Sequence, residues 1–368
     1  MEKTSIFLAF IFIGILLRFK MKSDQELLGI KKVILDLALP STIFIALLKI
    51  QFESSLLLLP ILALGFNFIL YLIVPYITKI LKIEDAKYRN TVLLIVPSLA
   101  PGLSCFPFVA EFLGPKFLAQ AAMADLGNKV FVLVILYFVA LRLFRANNKT
   151  MRIQKKRNRI DFVKALILEP VNLFILTALF LILLNIDFYA LPFLFQEILT
   201  KLSYIMTPLI LIFIGLSLKI KQRQFFQIIS LLAFRASISF FIVGLFMGVT
   251  GYTSSNQVIL FLVFSLSACS FWPYAHISLV EEQEKKNYYK TFDSQFAISI
   301  LALSFPFSTT LILSVLNTPQ TFQTTPIFIS SGLLLFFIGC LYPLSRYILN
   351  NTKTISFSNP KFESSDSN

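Results

Sequence analysis

The chain alternates long apolar runs with short polar interruptions, and the runs approach the length that a bilayer demands of a helix. Eleven candidate spans follow, at residues 4–18, 32–50, 55–78, 88–113, 116–144, 166–186, 197–218, 226–249, 257–283, 288–316 and 326–349. The first is short, and no small-residue cleavage site precedes the second, so it reads as a span rather than a removed signal. The pattern predicts an all-α polytopic membrane protein. Its longest polar interruption, RANNKTMRIQKKRNRID, leaves five spans on each side and one extra at the end. The expected units are a first repeat at 1–144, a basic linker at 145–165, a second repeat at 166–316 and an extra helix at 326–349. A Ser- and Asn-rich tail, 350–368, is expected to be disordered.

Two of the apolar runs repeat one another. Asn90 to Phe108, NTVLLIVPSLAPGLSCFPF, matches Asn256 to Tyr274, NQVILFLVFSLSACSFWPY, without a gap. Asn90 falls on Asn256, Val92 on Val258, Leu94 on Leu260, Ser104 on Ser270 and Pro107 on Pro273, with Phe106 over Trp272. A proline inside a span interrupts the helix, because it lacks an N–H and its ring clashes with the preceding turn. An odd number of spans per repeat inserts the second copy upside down. Two broken helices at matching places in two inverted halves point to the binding site of a secondary transporter. LDLALPSTIF and SYIMTPLILIF echo each other in spans two and seven, and Asp125 in span five falls opposite Asp293 in span ten.

Composition fixes the solvent. The chain is 57% hydrophobic and 14% charged, as an integral membrane protein must be. Its net charge of +14 suggests nucleic acid only until the placement of the basic residues is read. Arg18, Lys20, Lys31, Lys32, Lys79, Lys82, the linker, Lys219, Lys221, Lys285 and Arg346 fall in odd-numbered loops, whereas the even side has Lys3, Lys49, Lys116 and Lys201. That asymmetry predicts a cytoplasmic-membrane protein with its N-terminus outside and its C-terminus in the cytoplasm, and it excludes nucleic acid as a partner. Cys105, Cys269 and Cys340 form no disulfide framework. No zinc spacing, phosphate loop or nucleophile elbow occurs, so neither a metal, a cofactor nor an enzyme activity is expected.

Candidate chemistry gathers at the breaks. A helix interrupted at mid-membrane presents unpaired N–H groups and a partial positive charge at the start of its second half, which suits an anion. Pro101, Gly102, Ser104, Cys105 and Pro107 in the first copy, with Ser270, Trp272 and Pro273 in the second, are the expected lining; Leu103 to Phe106 and Ala268 to Trp272 are the stretches expected to offer amides. Asp125 and Lys129 lie four apart on one helix face, deep in span five, with Asn128 beside them. Lys129 is either a counter-charge for a substrate carboxylate or half of a permanent pair with Asp125. Asp125, His276, Asp293 and Gln295 are candidates for ion or proton coupling, His276 because imidazole titrates near neutral pH. Arg235 is a second anion candidate, and Asn67 a cap for freed backbone.

These segments resemble the auxin efflux carrier family of permeases. EPVNLFILTALFLILLNIDFYALPFLFQEILTKLSYIMTPLILIFIGLSLK is similar to the opening of that family's second half, IKKVILDLALPSTIF resembles its second span, and the two broken helices fall where its crossover lies. The resemblance covers about residues 5 to 316. It implies two inverted repeats of five helices with broken, crossing helices, the arrangement shared with bile-acid symporters and sodium/proton antiporters. It further implies a static set of spans one, two, six and seven and a moving set of spans three to five and eight to ten. The implied activity is elevator-type transport of a small organic anion, a dicarboxylate or an auxin-like indole acid, with proton coupling an option. Aligned on Pro107, the chain keeps Gly102 but has Ala100 for the family's Asn and Cys105 for its second Gly, and it adds the eleventh span. A sodium-coupled carrier of the bile-acid type and a non-transporting sensor of a metabolite or lipid stay open as alternatives, as does a homodimer through spans one, two, six and seven.

Overall fold

In an apolar solvent every backbone N–H and C=O must be paired inside the protein, so the apolar runs become helices. A computed structural model describes residues 2–21, 23–49, 54–147, 170–217, 224–250, 255–284, 290–322 and 324–356. Among these the regular structure is entirely helical, and six helices are long and apolar enough to cross a membrane. The protein is a multi-pass helical membrane protein.

The helices are α1 (Glu2–Leu17), α2 (Asp24–Val33), α3 (Leu39–Leu48), α4 (Leu58–Ile80), α5 (Ala86–Ile95), α6 (Pro101–Ser104), α7 (Phe106–Phe112), α8 (Pro115–Val130) and α9 (Leu136–Asn147). They continue as α10 (Pro170–Leu183), α11 (Phe193–Tyr204), α12 (Met206–Ser217), α13 (Phe225–Thr250), α14 (Ser255–Ser265), α15 (Trp272–Gln283), α16 (Ser294–Asn317) and α17 (Thr325–Ser356). Single π turns, Ile34–Ala38 and Phe131–Ile135, join α2 to α3 and α8 to α9. Local chemistry sets several starts. Ser23 and Glu26 form a capping box on α2, and the Asp85 and Asp293 carboxylates accept amide bonds at the heads of α5 and α16.

Three boundaries depart from the apolar pattern. The second span begins at Asp24 rather than 32, because the capping box nucleates a polar turn ahead of the apolar run. The tenth begins at Ser294 rather than 288, where Asp293 caps it. The last helix continues to Ser356, so the first part of the tail expected to be disordered is helical; NNTKTIS contains no glycine or proline to stop it. Residues 357–368, and most of the basic linker at 145–165, lie outside the described residues.

The helices pack as two groups. α1 to α3 lie with α10 to α12, and α4 to α9 lie with α13 to α16, while α17 packs along α13. One apolar core, around Val74, Phe131, Leu232, Phe296 and Ile300, belongs wholly to the second group. The other bridges the groups through Phe7, Leu39, Ile43, Leu103 and Phe108. Close approaches need glycine. A Cβ on Gly127 of α8 would stand 1.8 Å from the Pro60 carbonyl oxygen of α4, and Gly14 of α1 meets Gly215 of α12 backbone to backbone. Gly127→Val is therefore expected to destabilise the protein by about 1–3 kcal/mol. A lowered unfolding midpoint in detergent would show it, with Gly29→Ala, whose Cβ meets nothing within 4 Å and whose helix position favours alanine, leaving the midpoint unlowered.

Candidate functional site

Each helix end leaves backbone groups without partners, and two interrupted helices in an apolar interior make four such ends in one place. α5 stops at Ile95 and α6 starts at Pro101; α14 stops at Ser265 and α15 starts at Trp272. The two interruptions touch. The Ala100 amide donates to the Ala268 carbonyl at 2.8 Å. Serine hydroxyls take most of the remaining amides: Ser104 accepts from Ala268 at 2.9 Å, Ser98 from Ser270 at 2.9 Å, Ser304 from Cys269 at 3.2 Å and Ser270 from Trp272 at 3.3 Å. Asn128 brackets Leu99, donating to its carbonyl at 3.0 Å and accepting from its amide at 3.3 Å.

Arg235, 3% exposed on α13, serves the same end. Its guanidinium donates to the carbonyls of Val96 at 3.0 Å and Ser98 at 3.3 Å, a cation at the negative end of a broken helix. The sequence reading offered it as an anion partner; the structure commits it to backbone. Of the stretches expected to present amides, Ser104, Cys105, Ala268, Cys269, Ser270 and Trp272 are already bonded. Ser104 and Cys105 bond back to Ala100 and Pro101, so the first interruption lies at Val96 to Ala100, ahead of Leu103 to Phe106. Pro107 sits in the first turn of α7 and Pro273 in that of α15. Serine hydroxyls thus occupy amides that would otherwise offer partial positive charge at the crossing.

Beside the crossing, between it and α2–α3, lies a cavity of about 750 Å³. Of the expected site residues it gathers Pro101, Gly102, Asp125, Asn128, Lys129, Ser270 and Trp272. Ser104, Cys105, Pro107 and Pro273 are not among its lining, and Ser104 and Cys105 are buried behind it. Three coupling candidates lie elsewhere. His276 is buried with Nε2 2.8 Å from the Val132 carbonyl oxygen and its ring edge-on to Tyr137. Asp293 caps α16 and stands 3.6 Å from Lys87, and Gln295 is exposed in the same turn.

The polar floor of the cavity is one chain of contacts. Asn67 donates to Asn128 at 3.0 Å, Asn128 donates to Asp125 at 2.8 Å, Asp125 lies 3.5 Å from the Lys129 ammonium, and Lys129 donates to Asn172 of α10 at 3.0 Å. Lys129 is 6% exposed and Asp125 3%. A charge so buried persists only when paired and hydrogen-bonded, and both conditions are met. Above the floor the first group adds Lys31, Lys32 and Asp36, and the second adds Phe271, with the Lys31 ammonium 3.6 Å from the Phe271 ring centre.

Sequence reading missed Lys31, Lys32, Asp36, Phe271 and Asn172 as site residues. Asp36 carried a signal, being an acid inside an apolar run. The two lysines were absorbed by the loop-charge count, and Asn172 had only its place in an apolar helix. Among the described residues no three His, Cys, Asp or Glu side chains are grouped to hold a metal ion.

Removal of the Asn128 side chain should be among the most damaging polar substitutions. Asn128→Leu uncovers the Leu99 amide and carbonyl and withdraws a donor from Asp125, an expected loss of about 3 kcal/mol, whereas Ser304→Ala, which uncovers one amide, should lose about 1 kcal/mol. Chemical or thermal unfolding in detergent would rank them, and equal losses would contradict the bracket. No family model matches the chain, and no curated protein matches it.

Proposed function

We propose that the protein is a secondary transporter that carries a small organic anion across the cytoplasmic membrane. The observation that carries this reading is the buried Lys129 ammonium at the floor of a cavity walled by two interrupted helices. A lysine at membrane depth, beside a space large enough for a small carboxylate, is a recognition group before it is a structural one. The fold we assign is two inverted five-helix repeats plus an eleventh helix. Support comes from the paired interruptions, each bonded by a polar side chain of the following span, Asn128 on Leu99 and Ser304 on the Cys269 amide. The membership we assign, the auxin efflux carrier family, rests on the span patterns and on the crossing.

In this reading α1 to α3 and α10 to α12 form the scaffold, and α4 to α9 with α13 to α16 form the moving unit. Displacement of the moving unit along the scaffold carries the cavity from one face of the membrane to the other. Lys31 and Lys32 sit on the loop side that the basic asymmetry assigns to the cytoplasm, so the cavity described here opens inward. Proton coupling, where present, falls to Asp125, the coupling candidate that lines the cavity. The asymmetry of lysine and arginine supports an outer N-terminus and a cytoplasmic C-terminus.

A thermal-shift screen of purified protein against dicarboxylates and indole acids, followed by counterflow in proteoliposomes, tests the reading. Lys129→Ala should weaken binding of the hit about tenfold to a hundredfold, the worth of a charged hydrogen bond. A hit that binds the variant equally well would remove the anion counter-charge, and binding without counterflow would make the protein a sensor. Asp125→Asn should abolish any response of flux to an imposed pH gradient while leaving counterflow measurable; a retained response would place the coupling elsewhere.

A further inference from the structure

We infer that the empty carrier is held still by its own substrate-binding lysines, so that the protein exchanges one anion for another rather than passing anions singly. The inference deepens the transporter reading and rests on it. The seam between the two helix groups is mostly apolar: Phe7 of α1 packs on Phe108 and Phe112 of α7, with ring centres 5.5 and 5.7 Å apart. Apolar surfaces slide past one another, or past lipid, without stranding a hydrogen bond. Whether the seam moves is therefore decided by the polar ties across it.

Among the described residues, two polar ties across the seam end on the cavity. The Lys129 ammonium of α8 donates to Asn172 of α10, each residue almost fully buried. The Lys31 ammonium of α2 lies over Phe271, in the second interruption. Each tie joins a cation of the site to a neutral partner on the opposite group. Displacement of the empty moving unit would draw Lys129 off Asn172 and break a charged hydrogen bond between two almost fully buried side chains.

An anion entering the cavity changes the comparison. A carboxylate is a stronger acceptor than an amide oxygen or a ring face; with Asp125 already beside the Lys129 ammonium, a second carboxylate competes with Asn172 for its remaining donors and with Phe271 for Lys31 before any movement begins. The ties are then already broken, and the loaded unit moves without that penalty. After release the lysines return to Asn172 and Phe271, and the unit stops until another anion arrives. Net one-way flux requires an empty return and is slow; exchange does not.

The test uses spin labels at Tyr189→Cys on the scaffold side and Val249→Cys on the moving side, both strongly exposed positions, in a Cys340→Ser background. With no anion present the labels should report a single distance. Asn172→Leu should add a second distance without ligand, its share at least about tenfold above the parent's, and Phe271→Leu, at a half-exposed position, should shift the same way more weakly. Distances in both variants that match the parent would overturn the latch. Vesicles loaded with radiolabelled succinate or indoleacetate supply the second arm. Asn172→Leu should raise net efflux relative to exchange about tenfold, and an unchanged ratio would also overturn the latch. Absence of flux in the parent defeats the transporter reading instead, and the distances still judge the latch.

Discussion

Everything in this molecule turns on the pairing of backbone groups where two helices are interrupted in the same apolar interior. An interruption in water is harmless, since solvent takes the freed groups. Here most of the freed groups are buried and find partners within the protein: hydroxyls at 98, 104, 270 and 304, an amide at 128 and a guanidinium at 235. The second helix group is arranged so that α8, α13 and α16 each bring one of these to the crossing. The small side chains of the crossing leave space, and the cavity lies where that space meets α2 and α3.

The same requirement explains how much could be read from the chain alone. Prolines at 97, 101, 107 and 273 mark where the helices can break, because a residue without an N–H leaves a gap in the ladder, although Pro75, Pro306 and Pro343 stand inside continuous helices. They could not say where the break would settle. That depends on which distant hydroxyls can reach which amides, and the match of Pro107 to Pro273 misplaced the first interruption by several residues. Depth alone marked Asp125 and Lys129, and they remained together in the structure. His276, Asp293 and Gln295 were chosen by residue type and position along a span, whereas their neighbours on other helices decide their roles. Lys31 shows the converse: its charge was counted for topology, but the capped turn at Ser23 makes its helix long enough to bring it over the cavity.

The cavity is also a study in shared ownership. Its floor comes from α8, its far wall from the two interruptions and its near wall from α2 and α10, so neither helix group contains the site by itself. Asp125 and Asn172 both claim the Lys129 ammonium, one from within its own helix and one from across the seam. A ligand entering the cavity would join that competition, so the transporter proposed above would tie its binding geometry to the packing of its two helix groups.

The bond from Arg235 to Val96 spans 139 residues of sequence, and it has a bearing on how the chain is made. At ribosomal speeds of about 5–20 residues per second, the carbonyls of the first broken helix wait roughly ten to thirty seconds for their cation to be synthesised. Throughout that interval the nascent first half carries a defect that lipid cannot heal. When α13 arrives, its arginine would be a burden to insert alone, but it finds acceptors already in place. Biogenesis of the second half thus completes the first, and a shielded environment at the translocation machinery, rather than open bilayer, is where the unfinished helix has to be kept.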